Sequence, residues 1–356
     1  MKKKMRRKTV ALMMTAALAV TGCLTGCGSS SDSADNGELN IFIWTEYVPD
    51  SVIEKFEDET GIKVNVSTFS SNEDMLAKVQ AEASDAYDIV QPSDYMVQRM
   101  IEQDMLAELD KDALPNLSNI GEQYLNPSYD PGNVYSVPYQ GGVAAIAVNT
   151  DMVDIDIDSY ADLFDPSLKD SLVVLDDYRA VIGMTARSMG YSMNETDPAH
   201  LQEISDKLMT LKPNIKLYDS DSPKSALISG DCAVGMVWNA EIALAMEEND
   251  SIEIVYPKEG PYVFMDNWAV MKDSPNYDNA MTFINFMMDP DVVQMVLEEF
   301  PYLNPNTTAV EAMGEEYSSN LAKNPPAEVM ASGEDVQNLD VDTLAIYDEM
   351  WTQLKQ

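Results

Sequence analysis

Strand-like and helix-like patterns alternate along most of this 356-residue chain, and that alternation restricts the folds open to it. Residues 39–44 (LNIFIW) form a short, mostly apolar run, the pattern of a parallel strand buried on both faces. Residues 51–60 follow as a helix, with Ser51 and Glu54 spaced as a capping box and Gly61 placed to end it. Residues 63–68 put Val64 and Val66 on one face of a second strand. Ser71 and Asn72 then open a helix carrying Met75, Leu76 and Val79. Residues 87–91 read as a third strand and 96–103 as a further helix. Three βα units in about 65 residues imply a mostly parallel sheet with right-handed crossovers.

A second series begins after the punctuation at residues 137–142 (VPYQGG). Strands are expected at 143–148, 172–175, 215–217, 232–238, 253–256 and 265–270. Helices are expected at 179–189, 199–211, 222–228, 241–247, 276–288, 290–299 and 343–354. Two α/β series in one chain predict two lobes, each a mostly parallel sheet flanked by helices, with a cleft between them. The expected division is 39–142 with 267–306 for lobe one, and 143–266 with 307–356 for lobe two.

The first 26 residues have the layout of a secretory signal: Lys2, Lys3, Lys4, Arg6, Arg7 and Lys8, then an apolar run, then small residues. The apolar run is about a dozen residues, short for a bilayer span. Leu24-Thr25-Gly26-Cys27 closes it and resembles a lipoprotein signal box, which makes Cys27 the expected lipidation site. Val20-Thr21-Gly22-Cys23 is a weaker second copy. Residues 27–38 then read as a flexible Gly/Ser/Asp tether. With Cys23 and Cys27 in this region, the folded part holds only Cys232, so its stability must come from its core and not from a disulfide.

Composition excludes several functions. The chain has 22 Lys plus Arg against 61 Asp plus Glu. Setting aside the six basic residues of the signal leaves 16 against 61, a formal charge of −45. Phosphates would be repelled, so nucleic acid is not an expected partner. His200 is the single histidine, and it lies at a helix start as a surface residue. No nucleophile motif, calcium loop or multi-histidine metal set is present, and no catalytic residue, metal or cofactor is expected. A hydrolase using Asp176 and Asp177 is a competing reading, but adjacent residues point apart and no acid–base partner is marked.

In open α/β sheets, ligands bind beyond the C-terminal ends of the strands. Aromatic and acidic residues coincide there: Trp44, Glu46 and Tyr47; Ser93, Asp94 and Tyr95; Asp176 and Asp177; Trp238; Phe264 and Asp266; and Tyr302. An organic ammonium needs this mixture. Carboxylates neutralise it through charge-assisted hydrogen bonds of roughly 1.5–3 kcal/mol. Aromatic faces add about 0.5–2 kcal/mol each and cover the methylenes between ammoniums. Each position also has a plain structural role open to it: Trp44 as core, Glu46 or one of Asp176 and Asp177 as a helix cap. Asp266, inside an apolar strand, requires a partner.

W-T-E-Y-V-P at 44–49 and F-E-D-E-T-G-I-K-V at 56–64 strongly resemble the spermidine/putrescine-binding proteins of bacterial polyamine ABC transporters. S-N-E-D-M at 71–75, Y-D-I-V-Q-P-S at 87–93, S-V-P-Y at 136–139, G-Y-S at 190–192, V-W-N at 237–239, P-K-E-G at 257–260 and N-P-N at 304–306 continue the match in order. The resemblance implies a periplasmic-binding-protein-like fold whose lobes close on an extended polyamine. It also implies delivery to the membrane subunits of an importer, with the chain working as a monomer in the cell envelope. Carried over by position, it implies Trp44, Thr45, Glu46, Tyr47, Ser93, Tyr95, Asp177, Trp238, Phe264, Asp266, Tyr302 and Gln337 as ligand contacts. Three positions depart from the pattern. Ala180 stands where the family has an acid, Phe264 where it has Trp, and Gln140-Gly141-Gly142 where a Trp is usual. Losing one acid leaves Asp177 and Asp266, a set that suits a diamine such as putrescine; Glu241 or Asp94 are the alternatives for a third charge. A different organic cation on the same scaffold, and a second role as partner of a chemosensory receptor, also remain open.

Overall fold

Ten strands join in one sheet in the computed structural model, which describes residues 36–356. The signal-like segment, Cys23 and Cys27 lie outside the described residues. β1 (Glu38–Trp44), β2 (Lys63–Phe69) and β3 (Ile89–Val90) are parallel with β1 between the other two. α1 (Asp50–Thr60) and α2 (Asn72–Ala81) make the crossovers, and α3 (Asp94–Glu102) leaves β3. β1 is buried along most of its length, as its sequence requires. Gly61 ends α1 in a left-handed conformation, φ 72°, that a side chain would strain. The expected capping box is not formed. α1 starts one residue earlier behind Pro49, so Ser51 lies inside its first turn. Ser71 does cap α2, accepting from the Asp74 N–H at 3.2 Å.

The chain then passes through three short 3₁₀ turns between Lys111 and Tyr124 and enters β4 (Ser136–Asn149). β4 is twice as long as its sequence pattern implied, because Pro138 and the glycines disguise its first half. Pro138 offers no N–H, and the ladder shifts register between Pro138 and Gln140, a bulge that accommodates it. β5 (Leu172–Val174), β6 (Ile215–Tyr218) and β7 (Val234–Trp238) form the second parallel set, with β5 central. Around them lie α4 (Tyr178–Ser188), α5 (Pro198–Leu211), α6 (Lys224–Ile228) and α7 (Asn239–Glu248). Buried Cys232 precedes β7. β8 (Ile252–Val255) runs antiparallel to the outer half of β4, and β9 (Tyr262–Val270) follows.

The two parallel sets are joined by antiparallel strands. The order is β2-β1-β3-β9-β4-β7-β5-β6, with β9 antiparallel to both β3 and β4 and β4 antiparallel to β7. This is the two-lobed α/β architecture expected, with β4 and β9 as the long strands running through its centre. They can lie close because Gly141 and Gly142 carry no side chain. A Cβ on Gly142 would sit 2.2 Å from Asn239 Oδ1, and one on Gly141 2.6 Å from the Phe264 carbonyl. Asn239 uses that space to accept from the Val143 N–H at 2.9 Å.

α8 (Tyr277–Met287) and α9 (Pro290–Glu299) return to the first set, where Phe283 and Phe286 pack on Phe56 of α1. The tail holds more structure than the sequence suggested: α10 (Thr307–Ala312), α11 (Glu315–Ser318), α12 (Ala327–Ser332), β10 (Glu334–Asp335) and α13 (Val341–Lys355). Ala309 and Tyr317 pack against Val293 and Leu297 of α9, β10 pairs with β9, and α13 lies against α4 and α5.

Candidate functional site

Asp266 sits midway along β9, opposite Gln140 of β4 on one side and bridged to Ser93 on the other. It is 4% exposed. The partner its position required is a pair of hydroxyls. Ser93 Oγ donates to Oδ1 at 2.5 Å, and Tyr47 OH donates to Oδ2 at 2.7 Å. Ser93 is held in turn by Asn72, which donates to its hydroxyl at 2.9 Å and accepts its N–H at 3.1 Å. The Trp44 indole N–H completes no hydrogen bond, yet lies near enough to favour the Asp266 charge. Among the described residues no lysine, arginine or histidine forms an ion pair with Asp266. Burial therefore wins over the hydroxyls and raises its pKa to about 7.

A narrow cleft of about 40 Å³, partly open to solvent, surrounds this carboxylate. Trp44, Tyr47, Trp238, Tyr262, Phe264 and Tyr302 form its aromatic walls. They brace one another: Trp238 meets Phe264 edge-on at 5.0 Å and Tyr47 meets Tyr302 at 5.0 Å. Trp238 Nε1 donates to the Ser220 carbonyl at 3.3 Å, which fixes the indole plane. Thr45, Asn72, Ser93, Asp177, Ser220 and Asp221 supply the polar lining. Asp177 caps α4, accepting the Ala180 N–H at 3.0 Å, and burial holds its pKa above the usual carboxylate range. The Ser220 hydroxyl is buried without a partner among the described residues. Buried carboxylates and an unfilled acceptor between aromatic faces can hold an extended organic cation.

The cleft thus brings together Trp44, Thr45, Tyr47, Ser93, Asp177, Trp238, Phe264, Asp266 and Tyr302. Three other expected contacts lie elsewhere. Glu46, in a left-handed turn with φ 50°, points to Lys224 at 2.7 Å. Tyr95 is buried behind the cleft with its hydroxyl on Glu73 at 3.0 Å. Gln337 is exposed, with its backbone tied to Asn194 and Arg179. Asp94, weighed as a third acid, is also buried outside the lining. Asn72, Ser220, Asp221 and Tyr262 line the cleft without having been singled out. Tyr262 was within reach of sequence reading, since it alternates with Phe264 and Asp266 on one face of β9. Arg179, 1% exposed over Tyr95 and Tyr347, lies outside the lining. The adjacent acids of the competing hydrolase reading are both engaged structurally, Asp177 as the α4 cap and Asp176 with Lys355 at 2.5 Å. His200 accompanies Glu195 at 3.0 Å on the surface.

A carboxyl whose folded-state pKa lies above its unfolded value keeps its proton longer in the folded state. Stability then falls as pH rises through the interval between the two values, here about pH 4 to 7 for Asp266. The ligand-free protein should accordingly show a thermal midpoint that decreases from pH 5 to 8. Asp266→Asn should flatten part of that slope and raise the midpoint at pH 8; an unchanged slope would mean that Asp266 titrates normally.

Comparison with known proteins follows the same outline. Residues 51–326 match the family model described as bacterial extracellular solute-binding protein. The spermidine/putrescine-binding periplasmic protein of Salmonella typhimurium strain LT2 is 40% identical over 339 residues, which cover 95% of this chain and 97% of that protein. A solved structure from Listeria monocytogenes has a TM-score of 0.86 at 37% identity, over 90% of this chain and 99% of that one. The Tp0655 lipoprotein of Treponema pallidum has a TM-score of 0.78 at 27% identity, over 89% and 99%. With residues 51–326 matched by the family model and 95% of the chain covered at 40% identity, the chain belongs to the bacterial extracellular solute-binding protein family and is a binding protein, not an enzyme.

Proposed function

We propose that this protein captures a polyamine, putrescine or spermidine, in the aromatic cleft and delivers it to an ABC importer. The observation that carries the reading is Asp266: a buried carboxylate, walled by aromatic rings, that forms no ion pair among the described residues. A ligand ammonium placed there gains a charge-assisted hydrogen bond, and its methylenes gain the rings. The name of the Salmonella relative points to the same ligand class. Nine of the residues expected from the sequence line the cleft, and we assign them as ligand contacts: Trp44, Thr45, Tyr47, Ser93, Asp177, Trp238, Phe264, Asp266 and Tyr302.

The protein works as a monomer in this reading, held by a lipid on Cys27 at the outer side of the cytoplasmic membrane or in the periplasm. Support comes from the Leu24–Cys27 box and from the Treponema relative, itself a lipoprotein. Among the described residues no helix is long and apolar enough to cross a membrane. The lobe division proposed is 39–142 with 267–306 and 143–266 with 307–356, changed at one point: α10 and α11 (307–318) go with lobe one because they pack on α9.

Calorimetric titration should give a dissociation constant near or below the micromolar range, about −8 kcal/mol, for putrescine or spermidine. Asp266→Ala should weaken it at least tenfold, as expected from losing a hydrogen bond to a charged group. Absence of heat with putrescine, spermidine and spermine alike would remove the polyamine assignment. Cys27→Ala should shift the protein from the membrane fraction to the soluble one, and continued membrane association would place the anchor elsewhere.

A further inference from the structure

One ion cluster differs from the solvent-facing pairs on the rest of the surface. Lys224, at the start of α6, donates from Nζ to Glu46 Oε2 at 2.7 Å, to Glu241 Oε1 and Oε2 at 3.0 and 3.1 Å, and to Ser222 Oγ at 3.1 Å. The Glu241 side chain is 3% exposed, that of Lys224 20% and that of Glu46 41%, whereas the Lys258–Asp158 pair is 63% and 73% exposed. Glu46 comes from the loop after β1, Lys224 from the turn after β6, and Glu241 from α7, so the cluster ties the two parallel sets together. These partners exhaust the three donors of an ammonium.

The cluster adjoins the cleft through its neighbours in sequence, while Glu46 and Lys224 themselves line a separate hollow beside Glu299 and Phe300. Thr45 and Tyr47, on either side of Glu46, line the cleft. So do Ser220 and Asp221, just before Ser222 and Lys224, and Trp238, three residues before Glu241. Tyr302, another lining residue, has Glu241 and Glu46 among its nearby charges. At this end, then, the acidic position is filled by the protein's own primary ammonium. Resting on the polyamine reading, we propose that Lys224 determines specificity: its tethered ammonium occupies the third cationic position and makes the site prefer a diamine over a triamine. Asp177 and Asp266 remain inside the cleft, one for each ammonium of a diamine; Asp221 is exposed and water-screened. A third ligand ammonium would have to displace a tethered competitor whose effective concentration is on the order of millimolar or more.

The test compares the ratio of spermidine to putrescine dissociation constants, by calorimetry, in wild type, Lys224→Met and Lys224→Met/Glu241→Gln. The double variant leaves no buried unpaired carboxylate on α7, and its thermal midpoint reports that it folds. The expected result is a wild-type preference for putrescine that moves toward spermidine by about tenfold or more in the double variant, the scale of one charged hydrogen bond. If both amines bind and the ratio does not move, Lys224 has no part in selection, while the polyamine reading stands. If neither amine binds any of the three proteins, the polyamine reading itself fails and takes this proposal with it.

Discussion

A carboxylate buried in a sheet between two lobes cannot rely on water, and the arrangement around Asp266 follows from that constraint. Its two oxygens are met by hydroxyls from separate segments, Tyr47 after β1 and Ser93 before α3. Hydroxyls stabilise the charge without cancelling it. The residual cost of keeping the group ionised appears as a pKa of about 7 and remains available to be relieved by a cation. Had an arginine occupied this place, the group would be satisfied already and would have little to gain from a ligand.

The same strand that carries Asp266 organises the rest of the molecule. β9 pairs with β3 on one side and β4 on the other, so the carboxylate lies where the two parallel sets meet. Gly141 and Gly142 let β4 approach β9 and Asn239 without a clash. Two contacts then link the lobes beside the cleft. Lys224 joins Glu46 to Glu241, and Tyr178 donates to Glu73 at 3.2 Å alongside Tyr95. Both use groups that a reader of the sequence would assign to the ligand or to solvent. The recognition site and the lobe-to-lobe contacts therefore draw on one pool of acids and aromatics.

Much of this was legible in the residues themselves. Period and apolar runs located β1, α1 and α2, because those elements are governed by local patterning; Gly61 and Ser71 marked their ends for conformational reasons. Asp266 was conspicuous as a charge among apolar neighbours, and of the twelve positions the collinear motifs singled out, nine line the cleft. What escaped has a shared physical cause. Glu46, Tyr95 and Gln337 have plausible chemistry, but their direction depends on distant groups: Lys224 for Glu46, Glu73 for Tyr95 and the Asn194–Arg179 contacts for the Gln337 backbone. Ser220 and Asp221 sit in a turn whose sequence looks like ordinary solvent-facing loop. The first half of β4 and the short tail elements are held by pairing and packing, and their own composition, rich in Pro, Gly and polar residues, argues against them.

The central claim is that a buried carboxylate on β9, without an ion pair among the described residues, is what recognises the ligand. Its most direct measurement is putrescine affinity as a function of pH, with the amine fully protonated throughout. On the proposed reading binding requires Asp266 ionised, so affinity should climb roughly tenfold per pH unit from about pH 5 and level off above pH 7, as the group completes the loss of its proton. A flat profile across that range would contradict the account.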